Sequence, residues 1–97
     1  MARFVVLMNF TDQGIKTVKE SPKRAAAART AFKAKGVEIE QIYWTLGTHD
    51  LVAIVSAADG LDFAAMLLEL GGQGNIRTTT LRAFDEAEFG QVLAKLG

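Results

Sequence analysis

Two stretches of this chain, RFVVLMNF at Arg3–Phe10 and DLVAIVS at Asp50–Ser56, are rich in β-branched and aromatic residues and read as strands. In the first, Phe4, Val6 and Met8 share one face while Val5 and Leu7 share the other, so both faces are apolar. The second repeats the pattern. A strand that is apolar on both sides has to be covered on both sides. Two further strand-like stretches are more polar. EIEQIYWTL carries Glu38, Glu40 and Gln41, and NIRTTTLRAF carries Arg77, three threonines and Arg82. Polar and charged strands suit sheet edges, where they also discourage edge-to-edge association. The first and third strands are therefore expected at the centre of one sheet, with the second and fourth outside them.

Helices fill the spaces between. SPKRAAAARTAFKAKG begins with Ser21 as the expected N-cap and Pro22 at the first helical position, where its missing N–H is tolerated. Alanine is the best helix former, and Gly36 offers the left-handed terminator. Ala25, Ala28 and Phe32 form its inner face. GLDFAAMLLEL follows Asp59, its expected cap, and is apolar around most of its circumference, with Asp62 and Glu69 as the polar strip. Thr11–Glu20 reads as a short helix capped by Thr11, with Asp12 in its first turn, an apolar edge at Ile15 and Val18, and Gly14 as a weakness. At the C-terminal end, Asp85 and Glu88 have capping-box spacing. Phe89, Val92, Leu93 and Leu96 recur at helical intervals behind them.

The order is β-α-β-β-α-β with a short extra helix after the first strand and another at the C-terminus. This is the ferredoxin-like α+β pattern. It predicts an antiparallel sheet of order 4-1-3-2, with right-handed crossovers placing both long helices on one face. Residues 1–97 are expected to form a single domain.

Composition narrows the chemistry. Without cysteine there is no disulfide, thiolate metal site or cysteine nucleophile, and one histidine argues against most metal centres. No metal and no cofactor is expected. No apolar run approaches the ~20 residues that span a bilayer. The apolar N-terminal run is strand-like and lacks a cleavage site, so a cytoplasmic location is expected. Charge is balanced but uneven. Seven bases and one acid lie between Lys16 and Lys35, and nine acids and three bases lie from Glu38 onward. A basic helix surface on an acidic body explains this, and a nucleic-acid partner is not expected. Nor is a membrane.

The candidate site residues are Asn9, Tyr43, Thr45, His49 and Arg77. Asn9 ends a strand covered on both faces and needs a polar partner. With Thr45 and Arg77 it could bind a small polar molecule or anion; Arg82 is a further candidate, although both arginines also suit an edge strand. Tyr43 and Trp44 point to opposite faces, so one is expected in the core and the other in a sheet contact or pocket. His49 sits beside Asp50 at a turn, where neighbouring side chains diverge. It is expected to be partly exposed and not a catalytic pair with Asp50. GGQGN (Gly71–Asn75) closes a helix and opens a strand, the reverse of a phosphate loop. It reads as a helix stop whose glycines allow a backbone to come close.

The stretches NFTDQGIK, ESPKRAAAAR, YWTLGTHDLVAIV and GQGNIRTTTLRAF, in that order, resemble the GYD domain proteins, small bacterial and archaeal domains. The turn that names that family is here Gly47, Thr48, His49, Asp50, with histidine in place of tyrosine. A phenol at this position cannot be a requirement of every member. The resemblance implies a ferredoxin-like fold close to the dimeric α/β barrels, in which two sheets commonly pack face to face. It implies no substrate. A homo-oligomeric module that binds a small molecule or acts in assembly is the expected function. The alternative is a small cofactor-independent enzyme of the dimeric α/β-barrel type, so catalysis is left open. The apolar strand faces in excess of what two helices can cover point to self-association as a dimer or larger.

Overall fold

The computed structural model describes residues 1–58 and 60–97. Four strands, β1 (Ala2–Phe10), β2 (Val37–Trp44), β3 (Leu51–Ala57) and β4 (Ile76–Ala83), form one antiparallel sheet in the order β2-β3-β1-β4. The apolar strands are central and the polar ones lie at the edges, as the sequence predicts. Helix α1 (Asp12–Lys16) and a 3-10 turn (Val18–Glu20) lead into α2 (Ser21–Ala34). Helix α3 (Gly60–Gly72) joins β3 to β4, and α4 (Glu86–Ala94) ends the chain. The expected cap at Asp59 lies outside the described residues.

One face of the sheet carries the core. Val6, Met8, Leu51, Ala53, Val55 and Ala57 are buried beneath Phe32 of α2 and Phe63 and Met66 of α3. Phe4 meets Phe63 with ring centroids 4.8 Å apart. Both long helices therefore cover the same face. On the other face the register aligns Val5 with Ile54 and Leu7 with Val52 across the β1–β3 ladder. These four are only half-buried.

The β2 ladder slips between Ile39 and Gln41. This bulge places Glu40 out of register and lets Val37, Ile39 and Ile42 all face the core. It also corrects the expectation for the aromatic pair. Tyr43 is 54% exposed on the open face, and Trp44 is 47% exposed at the strand end, so neither is a core residue. The Trp44 indole N–H donates to Ser21 Oγ at 2.9 Å. Ser21 is thus a buried acceptor and not the expected helix cap; the 3-10 turn runs directly into α2.

Gly14, expected to weaken α1, has a different role. It is buried, and a Cβ there would overlap the carbonyl oxygen of Asn75. Around it Thr11 N–H donates to Asn75 O at 3.1 Å and Gln13 Nε2 to Asn75 Oδ1 at 2.9 Å. Thr11 caps α1 as predicted, its Oγ1 accepting from Gly14 N–H at 3.1 Å. The close approach to the Asn75 backbone is permitted by Gly14, and from the other side Gly74, at φ +86°, leaves room for the Gln13 side chain. The apolar edge at Ile15 and Val18 is exposed, at 52% and 40%. Gly36 ends α2 with φ +78°, the left-handed geometry the sequence requires of it.

Helix α4 contrasts with the others. Asp85 and Glu88 form a complete capping box, so its start is well defined. Yet Glu88 is half-buried and every other residue of α4 is exposed, including the predicted apolar face of Phe89, Val92 and Leu93.

Candidate functional site

The β2–β3 turn folds back onto the end of β1, and this brings three of the candidate residues together. Asn9 Nδ2 donates to Thr48 O at 2.6 Å, while its Oδ1 lies 3.0 Å from His49 Nδ1. An amide oxygen only accepts, so His49 carries its proton on Nδ1 in this pair. Thr45 Oγ1 donates to His49 O at 2.6 Å. Asp50 turns the other way, and its Oδ2 accepts from Phe10 N–H at 2.8 Å. The diverging side chains of His49 and Asp50 thus fix two points of the turn to β1. Backbone bonds from Asp50 N–H to Met8 O and from Thr45 N–H to Asp50 O, both 2.8 Å, complete the hook.

The arrangement supplies polar partners at the end of a largely apolar strand. Asn9 bonds the His49 imidazole and the Thr48 carbonyl, and Thr45 bonds the His49 carbonyl. Tyr43 stands apart, its hydroxyl 3.2 Å from Gln41 Oε1. Arg77 pairs with Asn9 in the β1–β4 register and is exposed. Arg82 stacks its guanidinium over Phe84 at 4.4 Å and near Phe4 at 5.7 Å, a cation–π role at the other end of the same strand.

A second polar cluster was not singled out in the sequence. Glu40, displaced by the bulge, accepts from Arg3 Nε at 3.0 Å and from the Ser56 hydroxyl. The hydrogen bond from Arg3 and that from Ser56 hold the Glu40 carboxyl below the usual glutamate range. The Glu40 bond and charge in turn raise the Arg3 guanidinium, with Asp85 and Glu88 adding to the effect. Arg3 and Ser56 are register partners in the β1–β3 ladder, but Glu40 enters only through the bulge. A strict two-residue alternation gives no sign of it.

Among the described residues no group of three or more histidine, aspartate or glutamate side chains is placed to hold a metal. No helix among them is long and apolar enough to cross a membrane. A largely apolar cavity of about 70 Å³ lies between the sheet and α2 and α3, and none of Asn9, Tyr43, Thr45, His49 or Arg77 lines it.

The fold and surfaces define an α+β protein with one sheet face under helices, one face open and a polar hook at the family-naming turn. The chain belongs to the GYD domain family, whose model matches residues 4–93. A Thermus thermophilus protein named glutamine synthetase and cystathionine beta-lyase binding protein is 33% identical over 89 residues, which cover 91% of this chain and 94% of that protein. A crystal structure of a protein from Thermus thermophilus superposes with a TM-score of 0.54 at 25% identity, covering 88% of this chain and 95% of that one.

Proposed function

We propose that this chain is a homo-oligomeric binding module whose copies pair through the open sheet face and α4, and whose assembly docks onto other proteins in the cytoplasm. The observation that carries the reading is α4. It has nine residues and a complete capping box, yet its apolar face is exposed. Isolated helices shorter than about 12–15 residues are marginal in water, so this one calls for a surface to pack on. The half-buried Val5, Leu7, Val52 and Ile54 offer such a surface on a second copy. A pairing of this kind would bury on the order of 1,200–2,000 Å² or more. The named binding role of the Thermus relative supports protein partners for the assembly.

Two other readings rank lower. A small polar ligand at Asn9, Thr45 and His49 would have to displace hydrogen bonds that these groups already make with one another and the turn. A cofactor-independent enzyme would need titratable groups in a cavity, and the cavity beneath the helices is walled mainly by apolar side chains.

Light scattering at micromolar concentration tests the assembly. A mass of two or more chains is expected, and Ile54→Lys is expected to return it to one chain with its far-UV circular dichroism intact. A wild-type species of monomer mass, stable on dilution, overturns the assembly. Cosedimentation with purified glutamine synthetase tests the protein-partner half separately. Failure to cosediment with assembled protein at tens of micromolar would remove it.

A further inference from the structure

The core between sheet and helices is incompletely filled. The cavity of about 70 Å³ is walled by Val6, Met8, Leu51, Val55, Phe63 and Leu67, with the small side chains of Ala25 and Ala28 among the α2 residues that face it. It adjoins a groove of about 240 Å³ between α2 and α3, and Ala28, Phe32 and Leu70 line both. Apolar cavities stay dry and take apolar ligands; one of ~150 Å³ elsewhere binds benzene, so this one suits the tip of a small chain or ring.

The polar groups where cavity and groove meet are specific. Arg24 and Gln73 line both spaces. The Arg24 guanidinium donates to Thr17 O at 3.2 Å, Thr17 Oγ1 at 3.1 Å and Gly14 O at 3.3 Å, all neutral acceptors. These bonds orient a cation toward the α1 end of the groove without neutralising it; the groove's other charged lining residue is Glu69 of α3, which makes no ion pair with Arg24. A site with an apolar interior and an oriented guanidinium at its mouth matches a molecule with an apolar tail and one anionic end.

We propose that the cavity and groove between α2 and α3 bind a short-chain carboxylic acid, its tail under Ala28 and its carboxylate at Arg24. The site lies on the helix-covered side of the sheet, so it stands or falls independently of the pairing through the open face.

Octanoate and octan-1-ol are the probes, followed by methyl and amide NMR on the assembled protein. Octanoate is expected to bind saturably, with the largest shifts at Val55, Leu67 and Leu70, and about tenfold more tightly than the alcohol. Arg24→Gln is expected to abolish that preference while leaving alcohol binding in place. Ala28→Leu is expected to abolish binding of both by filling the cavity. Xenon shifts at the same methyls check the cavity in the unmutated chain, so the idea remains exposed even if Ala28→Leu does not fold. Equal affinity of wild type for acid and alcohol, shifts confined to the open sheet face, or an absence of xenon and octanoate shifts at these methyls would each overturn the proposal.

Discussion

The two faces of the sheet are built from the same strands with similar residues, yet they have different fates. Val6 and Val55 on the helix side are each 2% exposed. Val5 and Ile54, one residue along the same strands, are half-buried with no long helix over them. Hydrophobicity alone does not separate the faces. What separates them is the position of α2 and α3, which right-handed crossovers put on one side. The surroundings differ too. The covered face is closed by aromatic and aliphatic side chains, whereas the open face is framed by Arg3, Glu40 and Ser56 at one end and the Asn9–His49 hook at the other. A face with polar fixtures at both ends can be covered in only a few ways, a property suited to selective association.

The sharpest way to break the covered face is Phe63→Ala. Phe63 is 3% exposed and packs on Phe4. Loss of its ring is expected to cost about 3–5 kcal/mol in a denaturant melt, the range for buried Phe→Ala changes. A loss under about 1 kcal/mol would mean that the helix side is not the core.

Gly14→Ala adds one methyl group at a place where it would meet Asn75 backbone. The expected loss is about 1–3 kcal/mol, the cost of overpacking, with the largest hydrogen-exchange changes near Thr11 and Asn75. Alanine is otherwise favoured over glycine in a helix, so an increase in stability would show that the close approach is unimportant.

On the turn end of the open face, His49→Ala removes one contact to Asn9 in a half-buried setting. A change under about 1 kcal/mol is expected, as for most surface substitutions. A loss several times larger would assign the imidazole a structural weight that its single side-chain bond does not suggest.

The smallest effect is expected for Glu40→Gln and should be visible mainly as a change with pH. The folded carboxyl is held below its ordinary range, first by Arg3 and then by Ser56. Its contribution is therefore complete above the unfolded glutamate pKa of about 4.3 and is lost as pH falls through the lower folded value. The stability gap between wild type and Glu40→Gln should close in that acidic window. A gap that widens on acidification would contradict the sign of the shift.

The covered and open faces also differ in how legible they were. Strand polarity alone placed β1 and β3 at the centre, and alternation separated Val6 from Val5. Capping spacing placed the start of α4. The bulge at Glu40 escaped because a one-residue slip leaves no local mark, and it reassigned Tyr43 and Trp44 as a result. Gly14 was misread for a related reason. Its constraint comes from Asn75, distant in the chain, and no nearby residue encodes that contact. Of the candidate residues, Asn9, Thr45 and His49 meet in one cluster; Arg77 lies across the β1–β4 ladder from Asn9 without joining these hydrogen bonds, and Tyr43 stands apart. Polar character at strand ends identified the group, but only the turn geometry could assign its partners.

The placement of β1 has a consequence for biosynthesis. Its neighbours on both sides come from later in the chain, with Arg3 paired to Ser56 and to Ala83. The β2–β3 hairpin can close locally, but β1 has to wait for strands made afterwards. At synthesis rates of 5–20 residues per second, the delay between β1 and β4 is roughly 4–15 s. Throughout that interval RFVVLMNF lacks its final ladder partner, with a single charge, Arg3, at its leading end. Such segments are the ones prone to intermolecular strand pairing. The strand that most constrains the finished fold is thus also the part of the nascent chain most in need of protection, and a chain cut short before β4 would leave that need unmet.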